Sequence, residues 1–131
     1  MPKLQSVAPT FAVADPGATI RWYEKTLGFS AVHFPQEEPF AWASLTRDGA
    51  EIMLLSIEGY VRPEIADRRP EGYWDAYIRM VGVQVFYEAV RQKTPIRSPL
   101  VKQGYGDWEF EVTDPNGYIL VFSELLEEDD S

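Results

Sequence analysis

The chain contains no cysteine in its 131 residues. That excludes a disulfide framework, a thiolate nucleophile and a thiolate metal site. It contains one histidine, His33, so a site built from several imidazoles is excluded as well. Cationic side chains are scarce: 12 Lys and Arg stand against 21 Asp and Glu, for a net charge of −9. A nucleic-acid partner calls for a basic surface, so none is expected. No apolar run approaches the ~20 residues of a membrane helix. The opening MPKLQSVAPTF lacks the charged, apolar and small segments of a signal peptide. No membrane partner and a cytoplasmic location are therefore expected.

What is present is a globular composition, 45% hydrophobic and 14% aromatic, in a chain long enough for one core. Part of the negative charge lies in ELLEEDDS, read as a frayed, solvated end. Without Glu124, Glu127, Glu128, Asp129 and Asp130 the charge of −9 falls to −4. The body is mildly acidic, which serves solubility or favours cationic ligands.

Along the chain, SVAPTFAVAD reads as a strand with Val7, Phe11 and Val13 at alternate positions. Asp15-Pro16 supplies a helix start, an N-cap acceptor followed by proline. In GATIRWYEKTL, Ile20, Tyr23 and Leu27 form one stripe, and Gly28 suits the left-handed cap. SAVHFP and FAWASLT read as strands, and RDGA turns into the returning strand EIMLLSI. EGYVRPEIADRRPEG is charged, holds two prolines and reads as a connection. The plan then repeats. WDAYIRMVG reads as a strand, and VQVFYEAVRQK as a helix with Val83, Phe86 and Val90 on its stripe, stopped by Pro95. GDWEFEVT, DPNG and YILVFSE form a second hairpin. The halves match in order rather than identity, and the mixture implies an α+β fold.

Three motifs, in order, carry a resemblance. VADPGATIRWYEKTLGF, DGAEIMLL and WEFEVTDPNGYILVF resemble motifs of the glyoxalase/bleomycin resistance protein/extradiol dioxygenase group, the vicinal oxygen chelate superfamily. The likeness spans roughly residues 4 to 125. It implies two βαβββ modules whose curved mixed sheet encloses a cavity, with helices on the convex side. The modules fall at about 4–57 and 73–125, joined by a connection at about 58–72 and followed by an acidic tail at 126–131. A homodimer is part of what the resemblance implies.

Metal-dependent relatives place ligands on the first and last strand of each module. Carried over one at a time, those positions are Ala8, Glu51 or Met53, Asp75 and Val121. Ala8 and Val121 cannot ligate, so no metal and no cofactor are expected. His33 lies outside these positions and reads as a packing or surface residue.

The closing turn fixes which residues share a face. With Asp114 opposite Tyr118, Thr113 faces Ile119, Glu111 faces Val121 and Glu109 faces Ser123. Phe110, Val112, Leu120 and Phe122 take the helix side. The cavity side then holds Glu109 and Glu111, with Asp75, Tyr77 and, in the first module, Thr10, Glu51 and Met53. Arg79 offsets some of the charge. Trp42 joins the Glu51 face if Asp48-Gly49 is a two-residue turn, and faces the helix if that turn is bulged. Trp22 and Trp108 read as packing residues, while Tyr60, Trp74 and Tyr105 lie near the rim. This set is an acidic pocket with an aromatic wall, suited to a cationic, partly flat ligand, or else a solvated face.

The reading that follows is a metal-independent small-molecule-binding protein resembling bleomycin resistance proteins, which sequester a cationic glycopeptide drug. It assigns no catalytic residue and links the chain to antibiotic resistance. The alternatives are a lyase, isomerase or dioxygenase of the same superfamily, with Glu111 or Asp75 as a carboxylate base, and a module that serves assembly only.

Overall fold

The computed structural model describes residues 1–125; the expected acidic tail at 126–131 lies outside them. The chain divides into two units, Met1–Pro63 and Glu64–Ser131, and the division falls inside the expected connection. Each unit carries one four-stranded mixed sheet and one principal helix, so the fold is α+β.

The first unit runs β1 (Thr10–Val13), α1 (Pro16–Trp22), β2 (Ser30–Phe34), β3 (Trp42–Arg47) and β4 (Ala50–Ser56), with the sheet ordered β1-β4-β3-β2. Asp15 caps α1 by accepting the Ala18 N–H at 3.1 Å, and Pro16 opens the helix. Its last turn, Tyr23–Leu27, is π-helical. Gly28 then reverses the chain at φ 74°, as a left-handed cap requires. Arg47 donates to the Leu27 carbonyl at 2.7 Å, satisfying one of the open acceptors at the helix end. Ile20, Tyr23 and Leu27 are buried, as are Phe11, Val13, Ala43, Leu45, Ile52 and Leu54 on alternate strand positions.

The second unit runs β5 (Ala76–Arg79), α2 (Val83–Val90), β6 (Ser98–Lys102), β7 (Asp107–Thr113) and β8 (Ile119–Leu125), ordered β5-β8-β7-β6. It repeats the strand order of the first, and β5 runs parallel to β8 as β1 does to β4. The β7–β8 register is the expected one, Thr113↔Ile119, Glu111↔Val121 and Glu109↔Ser123. Phe110, Val112, Leu120 and Phe122 are buried together. Phe86 of α2 meets Phe122 at 5.0 Å and Phe110 at 6.0 Å between ring centroids, and Tyr87 meets Phe110 at 5.1 Å.

Three expectations need correction. Helix α2 ends at Val90, five residues before Pro95, and Arg91 to Thr94 close in turns. The βαβββ plan requires a third strand after α2, which the residues did not locate; it is β6. Pro99 sits inside it and its register with β7 shifts between Ser98 and Val101, both features of an edge strand. Glu124 does not belong to a solvated end. It lies in β8, and its Oε1 accepts the Gly82 and Val83 N–H groups at 2.9 and 3.0 Å. Gly82 has no side chain to cap α2, so this carboxylate supplies the missing acceptor from another strand.

Candidate functional site

Successive strand residues point to opposite faces. The face of the second sheet away from the aromatic core therefore carries Tyr77 and Arg79 from β5, Asp107, Glu109 and Glu111 from β7, and Val121 and Ser123 from β8. Asp107, Glu109, Val121 and Ser123 are buried.

The Tyr77 hydroxyl ties these side chains together. It lies 2.9 Å from Asp107 Oδ2, 3.0 Å from Ser123 Oγ, and in close hydrogen-bond contact with Glu109 Oε2. Tyr105 donates to the same Glu109 oxygen at 2.6 Å. Ser123 donates to Asp107 at 3.1 Å. Arg79 donates to Asp107 and, at 3.3 Å, to Ser123. Its guanidinium carbon stands 5.2 Å from the Tyr77 ring centroid, within cation–π range. Trp74 extends the aromatic wall, with its ring 5.5 Å from that of Tyr77. The result is a buried carboxylate pair joined at the Tyr77 hydroxyl, with Trp74 beside the Tyr77 ring.

The proton affinities follow from these contacts. Burial and then the hydrogen bond to Glu109 push the Tyr77 phenol up to about 12. Burial and the same carboxylate raise Tyr105 as well. Burial alone would raise Asp107, but hydrogen bonds from Tyr77, Ser123 and Arg79, with the Arg79 charge, outweigh it and leave its carboxyl below the ordinary range. Glu111 is raised, chiefly by burial, against the opposing pull of Arg97 at 3.3 Å. Both phenols are therefore neutral donors at pH 7, and neither is a base.

Asp75, just before β5, has a structural role. Its carboxylate accepts the Ile119 N–H at 2.8 Å and the Tyr73 hydroxyl at 3.2 Å. In the first unit, Thr10 lies beside Met53 across the parallel β1–β4 pair. Glu51 accepts from Ser44 at 2.6 Å. Arg47 pairs with Ala50, so Asp48-Gly49 is a two-residue turn and Trp42 falls on the Glu51 face, opposite Leu55. A cleft of about 450 Å³ in this unit lies at the start of α1, lined by Asp15, Pro16, Glu38, Phe40 and Ser56 among others. None of the expected site residues lines it.

The donor set does not fit the metal site of the resemblance. Met53 N–H donates to Pro9 O, and continuing that register sets Ala8 beside Glu51. In the second unit Val121 pairs with Tyr77. Each strand pair thus offers at most one oxygen ligand next to an alkyl side chain, where both hard and borderline ions need several donors. Among the described residues no group of three or more His, Asp or Glu is placed to hold a metal ion. His33 stacks on Phe40 with ring centroids 3.8 Å apart.

Of the expected residues, Tyr77 and Glu109 share one network, and Glu111 and Val121 adjoin it in register. Sequence reasoning placed Tyr105 only at a rim and passed over Asp107 altogether. Alternation along DWEFEV would have found Asp107, since residues 107, 109 and 111 share a face.

Residues 3–122 match the family model described as the Glyoxalase/Bleomycin resistance protein/Dioxygenase superfamily. No curated protein sequence matches the chain. Among solved structures, a glyoxalase-related enzyme from Clostridium phytofermentans superposes with a TM-score of 0.73 at 17% identity, covering 95% of this chain and 97% of its own. TioX from Micromonospora sp. ML1 gives 0.70 at 17% identity, over 94% and 98%. The bleomycin-binding protein from bleomycin-producing Streptomyces verticillus, solved with copper(II)-bleomycin, gives 0.68 at 18% identity, over 93% and 97%. At these identities the likeness is one of fold.

Proposed function

The chain belongs to the glyoxalase/bleomycin resistance protein/dioxygenase superfamily, and on that footing we propose that it is a metal-independent binding protein that sequesters a cationic, partly flat small molecule. The observation that carries this reading is the face of the second sheet away from the aromatic core. There the buried Asp107 and Glu109 meet the Tyr77 hydroxyl, and a cationic group already contacts both a carboxylate and the Tyr77 ring. Carboxylates pair with the ligand's charge, and the Tyr77 and Trp74 rings take its flat part by stacking and cation–π contact. Glu111 adjoins them on the same face, paired in register with the buried Val121. In the first unit taken by itself, Thr10, Trp42, Glu51 and Met53 share the corresponding face of the sheet and are proposed as a separate set of contacts. A homodimer in the cytoplasm and a role in antibiotic resistance complete the proposal.

A metal-dependent lyase, isomerase or dioxygenase is disfavoured by the donor set, because two of the four carried-over positions are Ala8 and Val121. A carboxylate base is also poorly supported. Asp75 is held by the Ile119 N–H, and Glu111 is paired with Arg97. Fold likeness to a bleomycin-binding protein makes bleomycin the first ligand to try. Isothermal calorimetry with bleomycin and with other cationic aromatic drugs is expected to show saturable binding that weakens in Glu109→Gln. If no cationic drug binds even at high protein concentration, the sequestration reading fails.

A further inference from the structure

Arg79 stands where a ligand's cation belongs in the site just described. It follows Tyr77 by two residues on β5 and so shares its face. Its Nη1 contacts Asp107 and lies 3.3 Å from Ser123 Oγ, and its guanidinium carbon is 5.2 Å from the Tyr77 ring centroid. Carboxylate below and aromatic ring alongside is the arrangement that captures a free guanidinium or ammonium group.

The two partners differ sharply in exposure. The Arg79 side chain is 63% exposed, while that of Asp107 is 5% exposed. The cation reaches in from solvent and can leave towards it. An ion pair with one partner this exposed contributes little to folding. When the guanidinium departs, Asp107 keeps the Ser123 hydroxyl as a donor at 3.1 Å and stays 2.9 Å from the Tyr77 hydroxyl, whose single hydrogen it shares with Glu109. The carboxylate is therefore not stranded by the exchange.

We infer that Arg79 is an internal occupant of the cation subsite, and that a ligand bearing a planar guanidinium or amidinium group binds by displacing it from Asp107 and the Tyr77 face. Arg79 is then a specificity-determining residue. It sets a threshold that weakly bound cations, such as solvent ammonium or potassium, do not pass. A ligand that also stacks on Trp74 and Tyr77 does pass it. The inference rests on the cationic-ligand reading and adds the mode of entry.

Benzamidine is a suitable probe, being flat, aromatic and singly charged, and benzamide is its neutral counterpart. Their dissociation constants would be measured by NMR titration on the wild type, Arg79→Met, Arg79→Lys and Arg91→Met. The last removes an equal charge beside the helix, where Arg91 pairs with Glu88. Arg79→Met is expected to tighten benzamidine about tenfold, the scale of the lost ion-pair and cation–π competition. Benzamide should be unaffected by it, and Arg79→Lys and Arg91→Met should stay near the wild type. In the wild type, the Arg79 Nε–H resonance should shift towards that of a free guanidinium as benzamidine saturates the protein. Benzamidine binding to the wild type without a gain in Arg79→Met overturns the displacement mechanism alone. An equal gain in Arg91→Met also overturns it, by reducing the effect to net charge. Failure of benzamidine to bind any of the proteins at millimolar concentration overturns the cationic-ligand reading and this inference with it.

Discussion

The Tyr77 hydroxyl has one hydrogen and three oxygens within reach. Only the donors Tyr105, Ser123 and Arg79 let two buried carboxylates share it. Tyr77→Phe removes a donor from Asp107 and Glu109 at once, and leaving buried acceptors short of donors costs about 1–3 kcal/mol. Urea denaturation at neutral pH should show that loss; an unchanged midpoint would mean the hydroxyl is dispensable. The same residue fixes an alkaline limit. Its phenol is raised from 10.0 to about 12 in the folded protein. Its contribution to stability is thus complete below 10 and is lost as pH rises through about 12. Alkaline absorbance titration should show late-titrating tyrosines, of which the phase near 12 is lost in Tyr77→Phe while that of Tyr105 remains. Asp107 works in the opposite sense. Its lowered carboxyl adds stability above the ordinary value of 3.8, and that contribution is lost as pH falls through the folded value.

At the scale of elements, the parts of the sequence with short-range rules were legible. The α1 cap at Asp15, its stop at Gly28 and the DPNG hairpin depend on neighbours within a few residues, and each appears where the residues place it. Glu124 shows what was not legible. Its acceptor role at the start of α2 joins residues 42 positions apart, and nothing local in ELLEEDDS marks it. Asp75 is similar, since its partner Ile119 is 44 residues away. Strand β6 escaped notice because Pro99 breaks the pattern of a paired strand and is tolerated only at an edge. Glu124→Ala should destabilise the protein by about 0.5–2 kcal/mol, the range of a lost helix cap. Glu124→Gln, which keeps an acceptor oxygen, should lose less. Hydrogen exchange would place the effect at the Gly82 and Val83 amides; unchanged protection there would contradict the cap.

For the whole molecule, two units with one strand order account for the repeated plan that the sequence shows only faintly. The functional face is the part that pattern alone left undecided. Alternating glutamates on a strand fit a wet surface as well as a pocket. It is the burial of Asp107 and Glu109, and their bonds to Tyr77 and Tyr105, that favour the pocket. That Ala8 and Val121 carry no donor atoms is plain from the sequence itself. Among the described residues no helix is long and apolar enough to cross a membrane. The net charge of −9 adds a general attraction for cations, so affinity by itself does not locate the site. The most direct test is a crystal structure of the protein soaked with a cationic aromatic ligand such as bleomycin. The account predicts density for the ligand's cation against Asp107 and Glu109, with its flat part on Tyr77 and Trp74 and with Arg79 turned away. Ligand density confined to another surface, such as the cleft at the start of α1, would contradict it.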